Sequence, residues 1–251
     1  MLVGAQLYTI RAHMQTPADF AHSLSLIAQM GHKSVQLSGQ GPFPAQFMRD
    51  ALDENGLSCV LTHIAPERLL NDADELIRAH QILGCKYIGL GSMPERYRSP
   101  YWYPRFKVDF LPTMQKFRDA GMLFMYHNHH FEFERWGDKL ILERMMDDFA
   151  PDEMGFTFDT YWAQAGGGDP IKWINLLKGR LPVVHLKDMG VTNGQSVMAP
   201  IGEGNLDFPA ILKAFEAAGS QYALVEQDIC VGSPFDCLQR SLDYLKSLGY
   251  E

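Results

Sequence analysis

The sequence predicts an α/β protein, a (β/α)8 TIM barrel that forms a single domain over residues 1–251. Short apolar runs alternate with stretches of helical periodicity, and a glycine often ends a helical stretch shortly before the next run. Eight such units in about 250 residues is the expected content of a closed barrel. An open doubly wound sheet is the alternative, but no predicted strand is followed by the GxGxxG pattern of dinucleotide-binding sheets.

The strands and helix ends follow from these patterns. We expect strands at 2–8, 34–38, 58–63, 86–91, 122–128, 155–159, 182–187 and 222–227. Thr16-Pro17 and Ser233-Pro234 each combine a hydroxyl cap with proline at the first helical position, and both predict a helix start. The longer inserts 92–104 and 188–207 are predicted to be loops on the active face.

Composition and charge narrow the classes of partner. A net charge of −8 with scattered Lys and Arg argues against nucleic acid or an anionic membrane surface. There is no apolar stretch of about 18 residues, so we expect no membrane-spanning helix. The first residues do not resemble a signal peptide, and the four cysteines have no CxxC spacing. We therefore expect a cytoplasmic protein with free thiols.

The last four predicted strands all end in imidazole or carboxyl groups. They carry, in chain order, His127 and His129 followed by Glu132, then Asp159, then His185 with Lys187, then Glu226. Because the carboxyl ends of parallel strands meet at one mouth of a barrel, we expect His127, Asp159, His185 and Glu226 to converge. Two imidazoles and two carboxylates suit Mn²⁺, Zn²⁺, Co²⁺ or Fe²⁺, and Mg²⁺ less well. The sequence therefore predicts one bound divalent metal ion.

Other polar residues lie at strand ends without forming such a set. Gln6 and Tyr8 end strand 1, Gln36 ends strand 2 and His63 ends strand 3. A single such residue more often anchors a loop than binds a ligand. Trp162, shortly after Asp159, either lines a substrate pocket or covers the barrel edge.

Seven motifs resemble the xylose isomerase-like TIM barrels, which include sugar phosphate isomerases and epimerases. They are QLYT, LGCKYIGLG, YHNHHFEF, FDTYW, HLKD, IGEGNLDF and VEQD, in this order over nearly the whole chain. The resemblance implies one divalent metal held by Glu, Asp, His and Glu from strands 5 to 8. Asp159, His185 and Glu226 match these positions, whereas His127 stands where the family commonly has its first glutamate. In the epimerases those two glutamates act as paired acid and base, so His127 departs from the epimerase pattern.

The resemblance implies a metal-dependent isomerase or epimerase that acts on a sugar or polyol by proton abstraction next to a carbonyl. The His-rich strand, HLKD and EQD are also similar to dehydratases of the inosose type and to 3-keto-glycoside lyases, which gives a lyase as the alternative. An apurinic endonuclease would need a basic groove, and a non-catalytic sugar-binding barrel is the third hypothesis.

The resemblance also assigns roles to single residues. Glu226 or His129 would be the base, and Lys187 would either assist the departing oxygen or form a salt bridge with Asp188 or Glu203. A small carbohydrate is the expected partner, and barrels of this type often pair, so a homodimer is an option. The expected substrate-binding residues are Gln6, Tyr8, His63, Glu132, Trp162 and Glu203.

Overall fold

The computed structural model describes residues 1–251 and is built around an eight-stranded parallel sheet. The strands are β1 Leu2–Gln6, β2 Ser34–Leu37, β3 Ser58–His63, β4 Tyr87–Leu90, β5 Leu123–His127, β6 Met154–Thr157, β7 Val183–Leu186 and β8 Tyr222–Val225. Their order around the sheet is β6–β5–β4–β3–β2–β1–β8–β7. The predicted (β/α)8 barrel is confirmed, and strand ends differ from the predicted ones by at most two residues.

The barrel is nearly closed by a short seam between β6 and β7. The backbone N–H of Phe156 donates to the carbonyl of Arg180 over 2.8 Å, and that of His185 donates to Phe158 over 2.9 Å. Asp159 and His185 form an isolated parallel bridge at the end of this seam. Two of the predicted metal ligands therefore lie on opposite sides of the last joint in the barrel.

Ten α-helices surround the sheet. They are α1 Pro17–Met30, α2 Ala45–Glu54, α3 Pro66–Asn71, α4 Ala73–Leu83, α5 Tyr103–Asp119, α6 Ile141–Asp148, α7 Thr160–Ala165, α8 Pro170–Leu176, α9 Phe208–Ala218 and α10 Pro234–Ser247. Short 3₁₀ helices cover Leu7–His13, Glu95–Tyr97 and Phe131–Phe133. None of the helices combines the length and apolar character needed to cross a membrane.

The predicted helix starts are present. The hydroxyl of Thr16 accepts from the N–H of Asp19 over 3.2 Å, and that of Ser233 accepts from Asp236 over 3.4 Å. Gly31 follows α1 with φ of 110°, in the left-handed region that a side chain would disfavour. The hydroxyl caps therefore mark where α1 and α10 begin, and Gly31 marks where α1 ends before the chain returns to the sheet.

The two long inserts, which were predicted to be loops, contain regular secondary structure. Glu95–Tyr97 forms a turn of 3₁₀ helix within 92–104. Strands Asp188–Thr192 and Gln195–Ala199 pair as an antiparallel hairpin within 188–207. A second, shorter hairpin joins Arg135–Trp136 to Lys139–Leu140 before α6.

A buried apolar layer lies two residues before the polar strand ends. Leu61, Met125, Val183 and Leu224 belong to one small buried cluster. They precede His63, His127, His185 and Glu226 by two residues, and residues two apart on a strand share a face. The polar groups at the barrel mouth therefore stand on a packed apolar base, which limits their freedom to move. A larger core cluster of 59 buried residues includes side chains from both the helices and the strands.

Candidate metal centre

The structure brings His127, Asp159, His185 and Glu226 together. One ligand atom from each of the four residues lies within 4.8 Å of the others, and all four side chains are buried. They come from the ends of β5, β6, β7 and β8, which the sheet order places side by side once the seam closes. Metal binding by this set stays a prediction, and the donor chemistry is that of a divalent-ion site.

The side chain of Asp159 is oriented by the start of α7. Its Oδ1 accepts from the N–H of Trp162 over 3.0 Å, the usual geometry of an N-cap. Its backbone N–H donates to Oδ1 of Asn128 over 2.9 Å. With Oδ1 engaged in this way, Oδ2 is the oxygen that faces the imidazoles.

Hydrogen bonds on the far side of each ring set the tautomers of the two histidines. Nδ1 of His127 donates to the carbonyl of Gly91 over 2.8 Å, and Nε2 of His185 donates to Oε1 of Gln36 over 2.7 Å. A neutral imidazole carries one proton, so Nε2 of His127 and Nδ1 of His185 present lone pairs to the centre. A partner on the other ring nitrogen is typical of metal-ligating histidines.

These lone pairs face carboxylate oxygens. Nε2 of His127 lies 3.3 Å from Oδ2 of Asp159, and Nδ1 of His185 lies 3.0 Å from Oε2 of Glu226. Nδ1 of His185 is buried without a hydrogen-bond partner, and the only other charged group that meets Oε2 of Glu226 is the ammonium of Lys187. Electron pairs facing each other at this distance repel unless a cation or a proton lies between them. Burial opposes a charge on His127, but Asp159 and Glu226 outweigh burial and raise its pKa, so a proton shared with Asp159 fills this gap when no ion is bound. The residues therefore fit a divalent metal ion.

Lys187 supplies a positive charge at the same place. Its fully buried Nζ lies 2.8 Å from Oε2 of Glu226, 3.2 Å from Oδ2 of Asp159 and 3.0 Å from Oδ2 of Asp228. Burial opposes the charge of Lys187, but the carboxylates of Asp159 and Glu226 outweigh burial and raise its pKa. Burial alone would raise the pKa of Glu226, but Lys187 and His185 lower it well below its usual value.

The alternative pairing of Lys187 with Asp188 or Glu203 is wrong. Glu203 pairs with Arg240 over 3.4 Å. Asp188 accepts backbone N–H groups from Met189, Gly202, Gly204 and Leu206 at 2.7 to 3.2 Å. Asp188 thus anchors the insert that follows β7, and a Cβ on Gly204 would lie 2.3 Å from Oδ1 of Asp188.

A cavity of about 690 Å³ lies at the mouth of the barrel. The predicted site residues that line it are Tyr8, His63, His127, His129 and Glu226. Asp159, His185 and Lys187 are fully buried and do not line it. His127 and Glu226 are thus the members of the four-residue centre that a ligand in the cavity would meet.

His63 owes its place to two glycines on the neighbouring strand. A Cβ on Gly89 would lie 2.6 Å from the carbonyl of Thr62 and 2.8 Å from Cδ2 of His63. A Cβ on Gly91 would lie 3.0 Å from Nδ1 of His63. The segment Gly89-Leu90-Gly91 at the end of β4 therefore makes room for this imidazole, whose Nε2 is buried without a partner.

His129 lines the cavity beside His127. The two ring centroids are 4.7 Å apart, and the indole of Trp162 lies 5.1 Å from the His129 ring. Burial, with His127 nearby, lowers the pKa of His129 to about 2. Its Nδ1 is buried without a hydrogen-bond partner and is free to accept a hydrogen bond, whereas the low pKa of the ring disfavours a proton there.

The other predicted substrate-binding residues lie outside the cavity lining. Oε1 of Gln6 accepts from the N–H of Tyr8 over 3.0 Å at the start of a 3₁₀ helix. Glu132 is fully buried, where its carboxylate accepts from the hydroxyl of Tyr126 and from the N–H of His129. Glu203 lies on the insert after β7. Substrate contacts by Gln6, Glu132, Trp162 and Glu203 stay predictions.

Sequence reasoning did not select Arg11 and Arg98, which line the cavity together with Asp228. The Arg98 guanidinium lies 3.9 Å over the ring of Phe131 and donates to the carbonyl of Met93 over 2.8 Å. Its position within the insert 92–104 marks it as an active-face residue, but nothing in the pattern separates it from Arg96. Asp228 follows Glu226 at a spacing of two, and this spacing indicates from the sequence that the two residues end strand 8 on the same side.

Comparison with known proteins agrees with this architecture. A model of the family described as xylose isomerase-like TIM barrel matches residues 24–248. An inosose dehydratase from Geobacillus thermodenitrificans (strain NG80-2) is 21% identical over an alignment of 266 positions that covers 90% of this chain and 89% of that protein.

Solved structures show the same fold at low identity. A sugar phosphate isomerase/epimerase from Parabacteroides distasonis ATCC 8503 has a TM-score of 0.81 and 22% identity, covering 98% of this chain and 93% of that one. A probable 3-DHS dehydratase involved in petrobactin synthesis from Bacillus anthracis has a TM-score of 0.75 and 14% identity, covering 98% and 99%. Because the family model spans most of the chain, this protein belongs to the xylose isomerase-like TIM barrel family.

Proposed function

We propose that this protein is a divalent-metal-dependent enzyme that removes a proton from carbon next to a carbonyl in a small sugar or polyol. The observation that carries the proposal is the convergence of two imidazole lone pairs and two carboxylates beside a cavity of about 690 Å³. Relatives named as dehydratases, isomerases and epimerases support the same class of chemistry.

His127, Asp159, His185 and Glu226 would hold the ion. When bound, a divalent ion stabilises the negative charge that develops on substrate oxygens as the proton leaves. The chain itself supplies the cavity, the base and the buried charges around that base.

Glu226 is the proposed base. It lines the cavity, and a carboxylate that gives one oxygen to an ion keeps a second oxygen that can accept a proton. Lys187 does not line the cavity, so its effect on the reaction passes through Glu226, 2.8 Å away. We therefore treat Lys187 as a positioning residue and no longer as a direct acid.

His127 favours a reaction with a single base. Its Nδ1 donates to Gly91, so a His127 that gives Nε2 to an ion has no nitrogen left to take a proton. Asp159 is fully buried and does not line the cavity, so the ligand set offers a substrate only one carboxylate, that of Glu226. In an elimination, as in a dehydratase or lyase, Glu226 would take the proton from the carbon next to the carbonyl. The C–O bond one carbon further on would then break, and the protonated Glu226 would return the proton to the departing oxygen, which leaves as water or an alcohol. We propose this as the reaction.

Isomerisation or epimerisation is the second candidate, and it would require His129 to take up a proton against its low pKa. Its unpartnered Nδ1 lies in a residue that lines the cavity beside His127. An epimerase could use Glu226 and His129 as its two proton-transferring groups.

Proton exchange in D₂O tests the proposal. The protein would be loaded with Mn²⁺, Co²⁺ or Zn²⁺ and incubated in D₂O with inososes, 3-keto-glycosides and ketohexoses. The metal-loaded protein would then be removed, and the remaining small molecules would be examined by ¹H NMR. Elimination gives an unsaturated product, whereas epimerisation gives deuterium at an inverted carbon. Glu226→Gln should abolish either signal, and Glu54→Gln, at an exposed position of α2, should not. Full product formation by Glu226→Gln would contradict the assignment of the base.

A further inference from the structure

Lys187 and Asp228 form a charged pair that meets the candidate metal centre at two of its oxygens. Nζ of Lys187 contacts Oδ2 of Asp159 and Oε2 of Glu226, the same atoms that face the imidazoles of His127 and His185. The ammonium and a divalent ion would therefore share these oxygens. Two cations on shared ligands repel, most strongly where water is excluded.

Asp228 gives the ammonium a partner outside the four-residue set. Its Oδ2 lies 3.0 Å from Nζ of Lys187 and accepts a hydrogen bond from it. The Asp228 side chain is 22% exposed, whereas those of Asp159 and Glu226 are at most 3% exposed. Its position lets it hold the ammonium without taking a ligand from the centre.

We infer that Lys187 and Asp228 together set the affinity of this centre for its cation. Lys187 weakens binding by competing for Asp159 and Glu226, and Asp228 limits that competition by holding the ammonium. The ammonium offsets one of the three carboxylate charges that surround it, and without it all three would be unopposed before any metal binds. The inference rests on the proposed metal dependence and extends it to two residues outside the ligand set.

Opposite effects of two substitutions distinguish this role from simple structural support. Lys187→Gln removes the competing charge, so its affinity for Zn²⁺ or Mn²⁺ should rise roughly ten-fold. Asp228→Asn leaves the ammonium on the ligand oxygens alone, so its affinity should fall roughly ten-fold. Residues that only supported the fold would shift both affinities in the same direction or in neither.

Isothermal titration of the full chain with ZnCl₂ or MnCl₂ measures these affinities without any substrate. The exposed controls Lys213→Gln and Asp243→Asn should bind as the unsubstituted protein does. Lys187→Arg keeps the charge and should not bind more tightly. If Lys187→Gln does not fold without metal, Asp228→Asn still tests the inference, since it keeps the buried ammonium paired.

Weaker or unchanged binding by Lys187→Gln would overturn the inference, as would unchanged or tighter binding by Asp228→Asn. If the unsubstituted protein bound neither ion, the proposed metal dependence itself would fail. Binding by the unsubstituted protein with no change in the variants would contradict only the role of Lys187 and Asp228.

Discussion

Gln36 on β2 accepts a hydrogen bond from His185 on β7 across the mouth of the barrel. Oε1 of Gln36 lies 2.7 Å from Nε2 of His185, and both side chains are fully buried. β1 and β8 separate the two strands in the sheet, so the bond crosses the barrel interior. It holds the His185 ring with Nδ1 directed at Glu226.

Replacing Gln36 should weaken metal binding although Gln36 is not a ligand. Gln36→Leu removes the acceptor that fixes the His185 tautomer, so we expect affinity for Zn²⁺ to fall by roughly 10- to 100-fold. Calorimetric titration measures the change, with the exposed Gln81→Leu as control. Equal affinities of Gln36→Leu and Gln81→Leu would show that the tautomer is set elsewhere.

Metal should stabilise the folded protein through the four converging residues. At a free ion concentration of 100 times the dissociation constant, binding adds about 2.7 kcal/mol to the free energy of unfolding. Thermal unfolding with and without Zn²⁺ should show this gain in the unsubstituted protein and in the exposed variant His22→Ala. Asp159→Ala should lose it, and an equal gain in Asp159→Ala would remove that residue from the ligand set.

Stability should depend on pH through Glu132. Burial raises the pKa of Glu132 from 4.5 to about 7, partly offset by hydrogen bonds from Tyr126 and His129. Between these values the folded state binds more protons than the unfolded state, so the free energy of unfolding falls as pH rises through this window. The contribution is present below pH 4.5 and lost above about pH 7.

Glu132→Gln should therefore gain stability relative to the unsubstituted protein as pH rises from 5 to 8, by up to about 3 kcal/mol. Urea unfolding at the two pH values measures the difference. The exposed neighbour Glu134→Gln is the control and should show no such trend. A parallel pH dependence in Glu132→Gln would mean that another group titrates.

We expect substitution of Gly89 by any residue with a side chain to destabilise the protein. Alanine there would place a Cβ 2.6 Å from the carbonyl of Thr62, so we expect Gly89→Ala to lower the free energy of unfolding by about 1–3 kcal/mol. A Cβ on Gly190 would lie 3.6 Å from its nearest neighbour, an ordinary contact, so Gly190→Ala should be nearly neutral. Denaturant unfolding of both variants checks the contrast, which equal losses would contradict.

The convergence of the four candidate ligands was predictable because a strand buried on both faces has few places for polar groups. In strands such as GMLFMYH and PVVHLKD, the apolar run leaves only the end nearest the barrel mouth for His127 and His185. The regular spacing of βα units then places the ends side by side. Fold and convergence thus follow from one pattern.

The surroundings of the centre were less predictable because they depend on loops. The 3₁₀ turn Phe131–Phe133 directs the side chain of Glu132 inward to Tyr126. The alternation of side chains along β5 does not predict which way a side chain in the following turn points. The partners of Lys187 depend on how the chain continues past β8, which brings Asp228 within 3.0 Å. Proximity in sequence suggested Asp188 instead, whose carboxylate is already saturated by four backbone amides.

The seam between β6 and β7 gives the candidate centre a mechanical consequence. Asp159 belongs to one side of that joint and His185 to the other, and few hydrogen bonds connect the two sides. An ion coordinated by both residues would link β6 to β7 where few hydrogen bonds connect the two strands. Ion binding and stabilisation of the seam between β6 and β7 would then be coupled.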